Sequence, residues 1–320
     1  MFAKKDVRKV TTKFIMLIGL PASGKSYLSN FYKALGYSVH SSDAIREELS
    51  GDENNQNINE QVFNLLHKRV KEDLNNNQNC VYDATNINWK RRKAFLDELK
   101  NIPCEKKAIV VATPFEVCLK RNDNRERKVP YEVIERMYKN FDIPYYYEGW
   151  DEIELFYGEE EFKTLYGNLN KYLCEIKDYD QESKWHTETL GQHCLNALNG
   201  AKYIESEYWK NNINHPVTPI YIAAMLHDCG KPFVKTFKDS KGNDSDTAHY
   251  YTHENVGSYN SLFYDVTYED KLYIATLIRW HMQMHFIDKQ PHTEHKYRTL
   301  FGDKLWKDLQ WIHEADKSAH

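Results

Sequence analysis

The chain has 320 residues, long enough for two domains with a core each. Hydrophobic residues make up 41% and charged residues 28%, the composition of a soluble globular protein, and the net charge of -4 excludes a general pull toward nucleic acid, so such binding needs a local basic patch. No apolar run reaches the ~20 residues of a membrane span, the first residues lack the apolar stretch of a signal peptide, and the six cysteines form no CxxC pair, which excludes a disulfide framework or zinc ribbon and fits a reducing cytoplasm.

Residues 13–18 read as a short buried strand, followed by a Gly-rich turn and a helix from about Lys25 to Leu35. Further strands are expected near residues 37–40, from Asn79 to Tyr82 ending at Asp83, from Lys107 to Ala112, and from Glu152 to Tyr157. Strands alternating with helices predict a parallel sheet with flanking helices. After the acidic Gly158–Glu160 the strand pattern stops. Helical patterns cover Thr189–Leu198, Pro219–His227, Glu254–Tyr264, Lys271–Met284 and Lys304–His320, so the second half is expected to be all-α. The expected boundaries are 1–160 for the α/β domain and 161–320 for the helical one, with its core at about 181–320. The Asn/Gln tracts at 54–59 and 75–79 read as surface loops.

Gly19-Leu-Pro-Ala22-Ser23-Gly24-Lys25-Ser26 matches GxxxxGK[ST], between an apolar strand and a helix. Loop amides and a helix N-terminus would cradle phosphates, Lys25 would reach the terminal phosphates, and the Ser26 hydroxyl would bind Mg2+. Asp43 and Arg46 are spaced i, i+3, sharing one face of a starting helix. A carboxylate there would accept the proton of an attacking hydroxyl, with arginine holding it or a phosphate. Read alone, the pair is a capping aspartate with an exposed arginine. Asp83-Ala-Thr85-Asn86 stands at the C-terminal end of a strand, where open α/β sheets place ligands. Arg121 to Lys128 is a basic stretch ahead of Val129-Pro130 that would close over a triphosphate, although any single charge in it fits a solvated helix face.

These segments, with Pro144 and Glu148-Gly149-Trp150-Asp151-Glu152-Ile153, resemble the 5′-hydroxyl polynucleotide kinases of phages and bacteria over residues 13–157. The resemblance implies Asp43 as general base and Arg46, Asp83, Thr85 and Asn86 at the acceptor. It also implies Arg121 and Arg125 on the donor phosphates, with ATP or another NTP as donor and Mg2+ bound. The spacing between Arg125 and Pro130 is one residue short of some relatives, so Arg127 is a rival for the lid role.

His227-Asp228 ends an apolar helical run and is followed by Gly230-Lys231. Adjacent His and Asp on a buried helix can reach one metal ion. His193 lies upstream and Asp316 in the last helix; together they would bind a divalent cation and activate water against a phosphoester. His253 and His281 are additional candidates, whereas His285, His292 and His295 read as ordinary histidines. The order His193…His227-Asp228…Asp316 resembles the HD phosphohydrolase superfamily, and the surrounding segments are similar to HD modules that accompany tRNA nucleotidyltransferases. That resemblance implies His193, His227, Asp228 and Asp316 as ligands of Mn, Ni, Co, Fe or Mg, with His253 and His281 at a second site. It implies Lys231 on phosphate and His186 behind the ligands.

The expected fold is thus an α/β P-loop kinase domain followed by an all-α HD domain. The expected activity, resembling bifunctional RNA end-healing enzymes, is phosphorylation of a 5′-OH end and hydrolysis of a 2′,3′-cyclic or monoester phosphate end. The partners would be RNA or DNA ends and a polynucleotide ligase, with no membrane. Two other readings stand beside it: a nucleoside or sugar kinase fused to a nucleotide phosphohydrolase, and a nucleotide-sensing regulatory protein with a non-catalytic helical domain. Tyr145, Tyr146 and Tyr147 fit either base stacking or a hydrophobic seam, and the Lys/Arg residues near 90–93 are expected to hold phosphates.

Overall fold

The computed structural model describes residues 12–184, 187–209 and 218–319. The chain forms two compact units: residues up to Val111 with Glu148–Phe156, and Ala112–Tyr147 with Tyr157 onward. The chain therefore leaves the first unit after Val111 and returns to it at Glu148.

The first unit is a five-stranded parallel sheet. Its strands are β1 (Thr12–Ile18), β2 (Ser38–Ser41), β3 (Cys80–Asp83), β4 (Cys104–Val111) and β5 (Glu152–Phe156), in the order β2-β3-β1-β4-β5. β1 is buried on both faces, which explains its unbroken apolar run. Ile15 and Leu17 meet Leu28 of helix α1 (Lys25–Ala34), together with Val81, Ile109 and Val111. Helix α2 (Ser42–Ser50) follows β2. Phe14, from the other face of β1, meets Phe95 of helix α4 (Trp89–Glu98), as does Tyr82. Helix α3 (Asn59–Asn75) buries Val62, Leu66, Val70 and Leu74, a stripe spaced by four. That helix occupies the stretch between the two Asn/Gln tracts, and Asn59 and Asn75 are its first and last residues.

Beneath this layer lies a fully buried ion pair. Arg92 donates to both carboxylate oxygens of Glu148, from Nε at 2.8 Å and Nη2 at 2.7 Å, and from Nη1 to the Asn86 carbonyl at 2.8 Å. Trp150 Nε1 donates to the same carboxylate at 3.0 Å. Arg92 is therefore a core residue and not one of the phosphate-holding cations expected near 90–93, and Lys93 is paired with Asp97.

The second unit contains α5 (Phe115–Asp123), α6 (Tyr131–Lys139), α7 (Leu169–Ile176), α8 (Leu190–Trp209), α9 (Thr218–Leu226), α10 (Lys231–Val234), α11 (His253–Asn260), α12 (Tyr268–Lys289) and α13 (Glu294–Lys317). The segment 112–147 is anchored here: Tyr138 stacks on Phe115 and hydrogen-bonds Asn260, and Tyr259 donates to the Thr113 carbonyl at 2.7 Å. Tyr147 accepts from Trp280 Nε1 at 2.9 Å and packs on Phe301, while Tyr145 lies on Tyr273, so these two tyrosines form an internal seam. The unit is not wholly helical. Thr236–Lys238 and Asp244–His249 pair as an antiparallel ribbon, whose polar sequence carries no apolar alternation. Helix α13 starts ten residues earlier than Lys304 and continues through a break at Gly302. No described helix is long and apolar enough to cross a membrane.

Removing one partner of a buried ion pair strands the other charge. Glu148→Gln is expected to lower the unfolding free energy by about 3 kcal/mol or more, and the double change Arg92→Met, Glu148→Leu to cost much less. Urea denaturation decides this, and a single variant as stable as the parent would remove the pair from its structural role.

Candidate functional site

The phosphate-loop sequence forms the turn between β1 and α1. Gly24 caps α1 with φ 109°, a left-handed conformation that glycine adopts without steric cost. Lys25 Nζ donates to the Gly19 and Leu20 carbonyls at 3.0 and 2.7 Å, so its ammonium is folded over the loop. Ser26 is exposed on the first helical turn, and Ser23 is buried beneath. Next to the loop, Gly19 N donates to the Thr85 carbonyl at 3.1 Å and Asn86 Nδ2 to the Leu17 carbonyl at 2.8 Å. Thr85 and Asn86 thus tie the end of β3 to the end of β1. Asp83 accepts from Ser29 Oγ at 2.6 Å. Burial pushes its carboxyl above the usual range, opposed by Ser29 and the Lys25 ammonium.

Ser41, and not Asp43, caps α2. Arg46 is buried rather than exposed, and its guanidinium donates to Asp43 Oδ1 at 2.8 Å, Asn59 Oδ1 at 2.9 Å and the Glu53 carbonyl at 3.3 Å. The Asp43 side chain is half exposed. A fixed cation behind an accessible carboxylate orients it for proton transfer.

The basic stretch spans the end of α5 and the turn before α6. Asn122 closes that turn, donating to the Val129 carbonyl and accepting from Val129 N, both at 2.9 Å. Arg121 is paired with Glu159 at 2.7 Å, and Arg125 is exposed.

In the second unit, six buried side chains from five places in the chain converge. His193 (α8), His227 (after α9) and Asp316 (α13) form one group able to hold a metal ion; Asp228, His253 (α11) and His281 (α12) form another. Asp228 faces both, with Oδ2 at 3.2 Å from His227 Nε2 and Oδ1 at 3.2 Å from His253 Nε2. Gly230 makes this convergence sterically feasible: a Cβ there would stand 2.1 Å from the His253 carbonyl oxygen.

The imidazoles fit a cation. Nδ1 of His227, His253 and His281 lies 2.7 Å from the Ala224, Tyr250 and Ile278 carbonyls, respectively. The proton is thereby held at Nδ1 and the Nε2 lone pair aimed inward. The Nε2 atoms then face each other in pairs, His193 with His227 at 3.1 Å and His253 with His281 at 3.2 Å. Lone pairs at that separation need a cation or proton between them. Burial opposes charge on His227, yet Asp228 and Asp316 outweigh it and hold its pKa well above the usual value. Burial, His253 and His227 hold His281 well below. Burial would raise the Asp228 carboxyl, but His227 and Lys231 keep it well below the usual range.

Lys231 Nζ contacts Asp228 Oδ2 at 2.6 Å and Gln181 Oε1 at 2.8 Å. His285, read from sequence as an ordinary histidine, holds Asp316 Oδ2 through Nε2 at 2.8 Å, leaving Oδ1 3.1 Å from His193 Nε2. Its i, i+4 spacing from His281 was the available signal. Gln181 gave none. His186 lies outside the described residues, and His292 and His295 belong to neither ligand group.

Residues 14–144 match a family model described as an AAA domain. The chain is 29% identical over 170 residues to an L-seryl-tRNA(Sec) kinase of Methanococcus maripaludis, covering 51% of this chain and 66% of that protein. It is 28% identical over 152 residues to Protein kti12 of Schizosaccharomyces pombe, covering 43% and 54%. The chain therefore spans about two thirds or less of the length of these relatives. Among solved structures it is similar to a chain of a Pnkp1/Rnl/Hen1 complex, at 22% identity and TM-score 0.34, covering 40% of this chain and 44% of that one. With its central P-loop and parallel five-stranded sheet, the first unit has a P-loop kinase-like fold.

Proposed function

We propose that the chain is a bifunctional nucleic-acid end-healing enzyme. Its P-loop unit transfers the γ-phosphate of ATP to a 5′-OH end, and its helical unit is an HD-type phosphohydrolase acting on 2′,3′-cyclic or monoester phosphate ends. The observation that carries this reading is the pair of buried ligand groups joined by Asp228, in a chain that also holds Asp43 against a fixed Arg46.

In the kinase half, Asp43 takes the proton of the attacking hydroxyl while Arg46 holds its carboxylate in place. Lys25 would turn from the Gly19 and Leu20 carbonyls to the donor phosphates, and Ser26 would hold Mg2+. Arg125, with Arg127 as its rival, counters charge from the turn before α6. Asp83, Thr85 and Asn86 bound the acceptor side.

In the helical half, His193, His227 and Asp316 would hold one divalent ion and Asp228, His253 and His281 a second. Divalent ions held there would supply a water of lowered pKa and would neutralise phosphoester oxygens. Asp228 bridges the two groups, and Lys231 meets a substrate phosphate. The partners are RNA or DNA ends and a ligase that seals them. The setting is a reducing cytoplasm, in keeping with six cysteines that form no disulfide. A second reading, supported by the similarity to a protein named L-seryl-tRNA(Sec) kinase, gives the P-loop unit an acceptor hydroxyl carried on tRNA.

A single-stranded RNA bearing 5′-OH and 2′,3′-cyclic phosphate ends tests both halves. With ATP, Mg2+ and Mn2+, Lys25→Ala or Asp43→Asn should lose 5′-phosphorylation by about 100-fold or more while retaining 3′-end processing. Asp228→Ala should do the reverse. No change at either end of the RNA with the parent protein would discard the end-healing reading, and phosphorylation of aminoacylated tRNA alone would favour the second.

Metal removal gives an independent measurement. Chelation should lower the melting temperature of the parent protein by about 5 °C, since ligands bound only to the native state stabilise it by mass action. Asp228→Ala should not respond. A parent protein indifferent to chelation and to added Mn2+ would argue against a metal centre.

A further inference from the structure

A cavity of about 440 Å3 in the first unit is bordered by Thr85 and Asn86 of the acceptor side, and the rest of its lining has no role in the mechanism above. It lies between α3, α4 and the β1–β3 surface, and its size is within the ~300–1,000 Å3 range of small-ligand sites. Its walls are aromatic: Phe63 and His67 stand one turn apart on α3, facing Tyr82 and Phe95. The His67 ring lies 4.2 Å from that of Phe95. Amides line the polar margin, Asn59 at the start of α3 and Asn88 capping α4. Thr85 and Asn86 border it as well.

The cavity begins one side chain beyond the candidate base. Asn59, which lines it, accepts from the Arg46 guanidinium that holds Asp43. A hydroxyl presented to Asp43 therefore belongs to a molecule whose next group can reach this space. Flat aromatic walls suit a planar ring, and an amide both donates and accepts along a ring edge. A phosphate is disfavoured inside, because the Arg92 guanidinium on its wall is engaged by Glu148 and Asn86 and the carboxylates of Glu60 and Glu98 also line it, leaving the exposed Arg91 as the lining cation. Burial pushes the His67 imidazole below its usual range, which favours a neutral stacking ring there.

We propose that this cavity holds the nucleobase of the acceptor's 5′-terminal nucleotide, stacked against Phe63 and read at its edge by Asn59 and Asn88. Arg91, exposed on α4, supplies a cation for the phosphate that follows that base. The proposal rests on the kinase reading for the identity of the acceptor, and on the cavity for the base.

The test compares 5′-OH RNA oligonucleotides that carry either a base or an abasic site at the first position. With the parent protein, loss of the base should raise KM about ten-fold and leave kcat within about two-fold, the size expected for one base–aromatic stack. Phe63→Ala should raise KM for the base-bearing RNA by a similar factor and erase the difference between the two RNAs. Phe63→Trp, which fills the cavity from a partly buried position, should do the same without leaving a void. Equal KM values for the two RNAs with the parent, or full discrimination retained by both variants, would overturn the proposal while leaving the kinase intact. If no polynucleotide is phosphorylated, saturation-transfer NMR with adenosine 3′-monophosphate still decides. Binding by the parent and not by Phe63→Trp supports the cavity as a base site even though the end-healing reading has failed. No binding, or binding unchanged in Phe63→Trp, overturns it.

Discussion

The candidate kinase centre depends on one buried charge pair. Arg92 and Glu148 lie 56 residues apart in sequence and are almost wholly removed from solvent. A guanidinium in such a place is tolerable only because its donors are spent on a carboxylate and a carbonyl. The carbonyl belongs to Asn86, whose side chain in turn grips the end of β1. A line of hydrogen bonds therefore runs from the return segment, through α4, to the strand that launches the phosphate loop. The loop after β3 presents Thr85 and Asn86 to the neighbouring cavity, so one pair sets the geometry of both.

The helical unit solves the opposite problem. There the charges are gathered, four buried imidazoles and two buried carboxylates. Backbone carbonyls turn three of the imidazoles inward, and His285 and Lys231 brace the two carboxylates from behind. Rigidity of this kind lowers the cost of bringing like groups together, because the ligands are oriented before any cation arrives.

Much of this was legible in the sequence where the signal is local. The phosphate loop, the apolar run of β1 and the apolar helix before His227-Asp228 are contiguous patterns; the first two sit where expected, whereas the helix stops at Leu226 and leaves His227-Asp228 in the turn that follows. What escaped depends on contacts between distant segments. Arg92 reads as a surface cation until Glu148 is seen beside it. Helix α3 was hidden because its apolar stripe of every fourth residue is flanked by Asn and Gln. The ribbon at 236–249 has no apolar alternation to announce it. His285 is distinguished from His292 and His295 only by lying one turn from His281 and opposite Asp316. Asn59 became meaningful only when Arg46 proved to be buried.

The return of the chain at Glu148 has a consequence for synthesis on the ribosome. The sheet's last strand and the carboxylate that neutralises Arg92 are made only after residues 112–147, which pack with the other unit. Until residue 156 has left the exit tunnel, the nascent first unit lacks the carboxylate partner of Arg92 and has an open edge on β4. Sheet completion is thus timed by a stretch of chain that belongs elsewhere. Splitting the gene after codon 111 would yield a fragment lacking both.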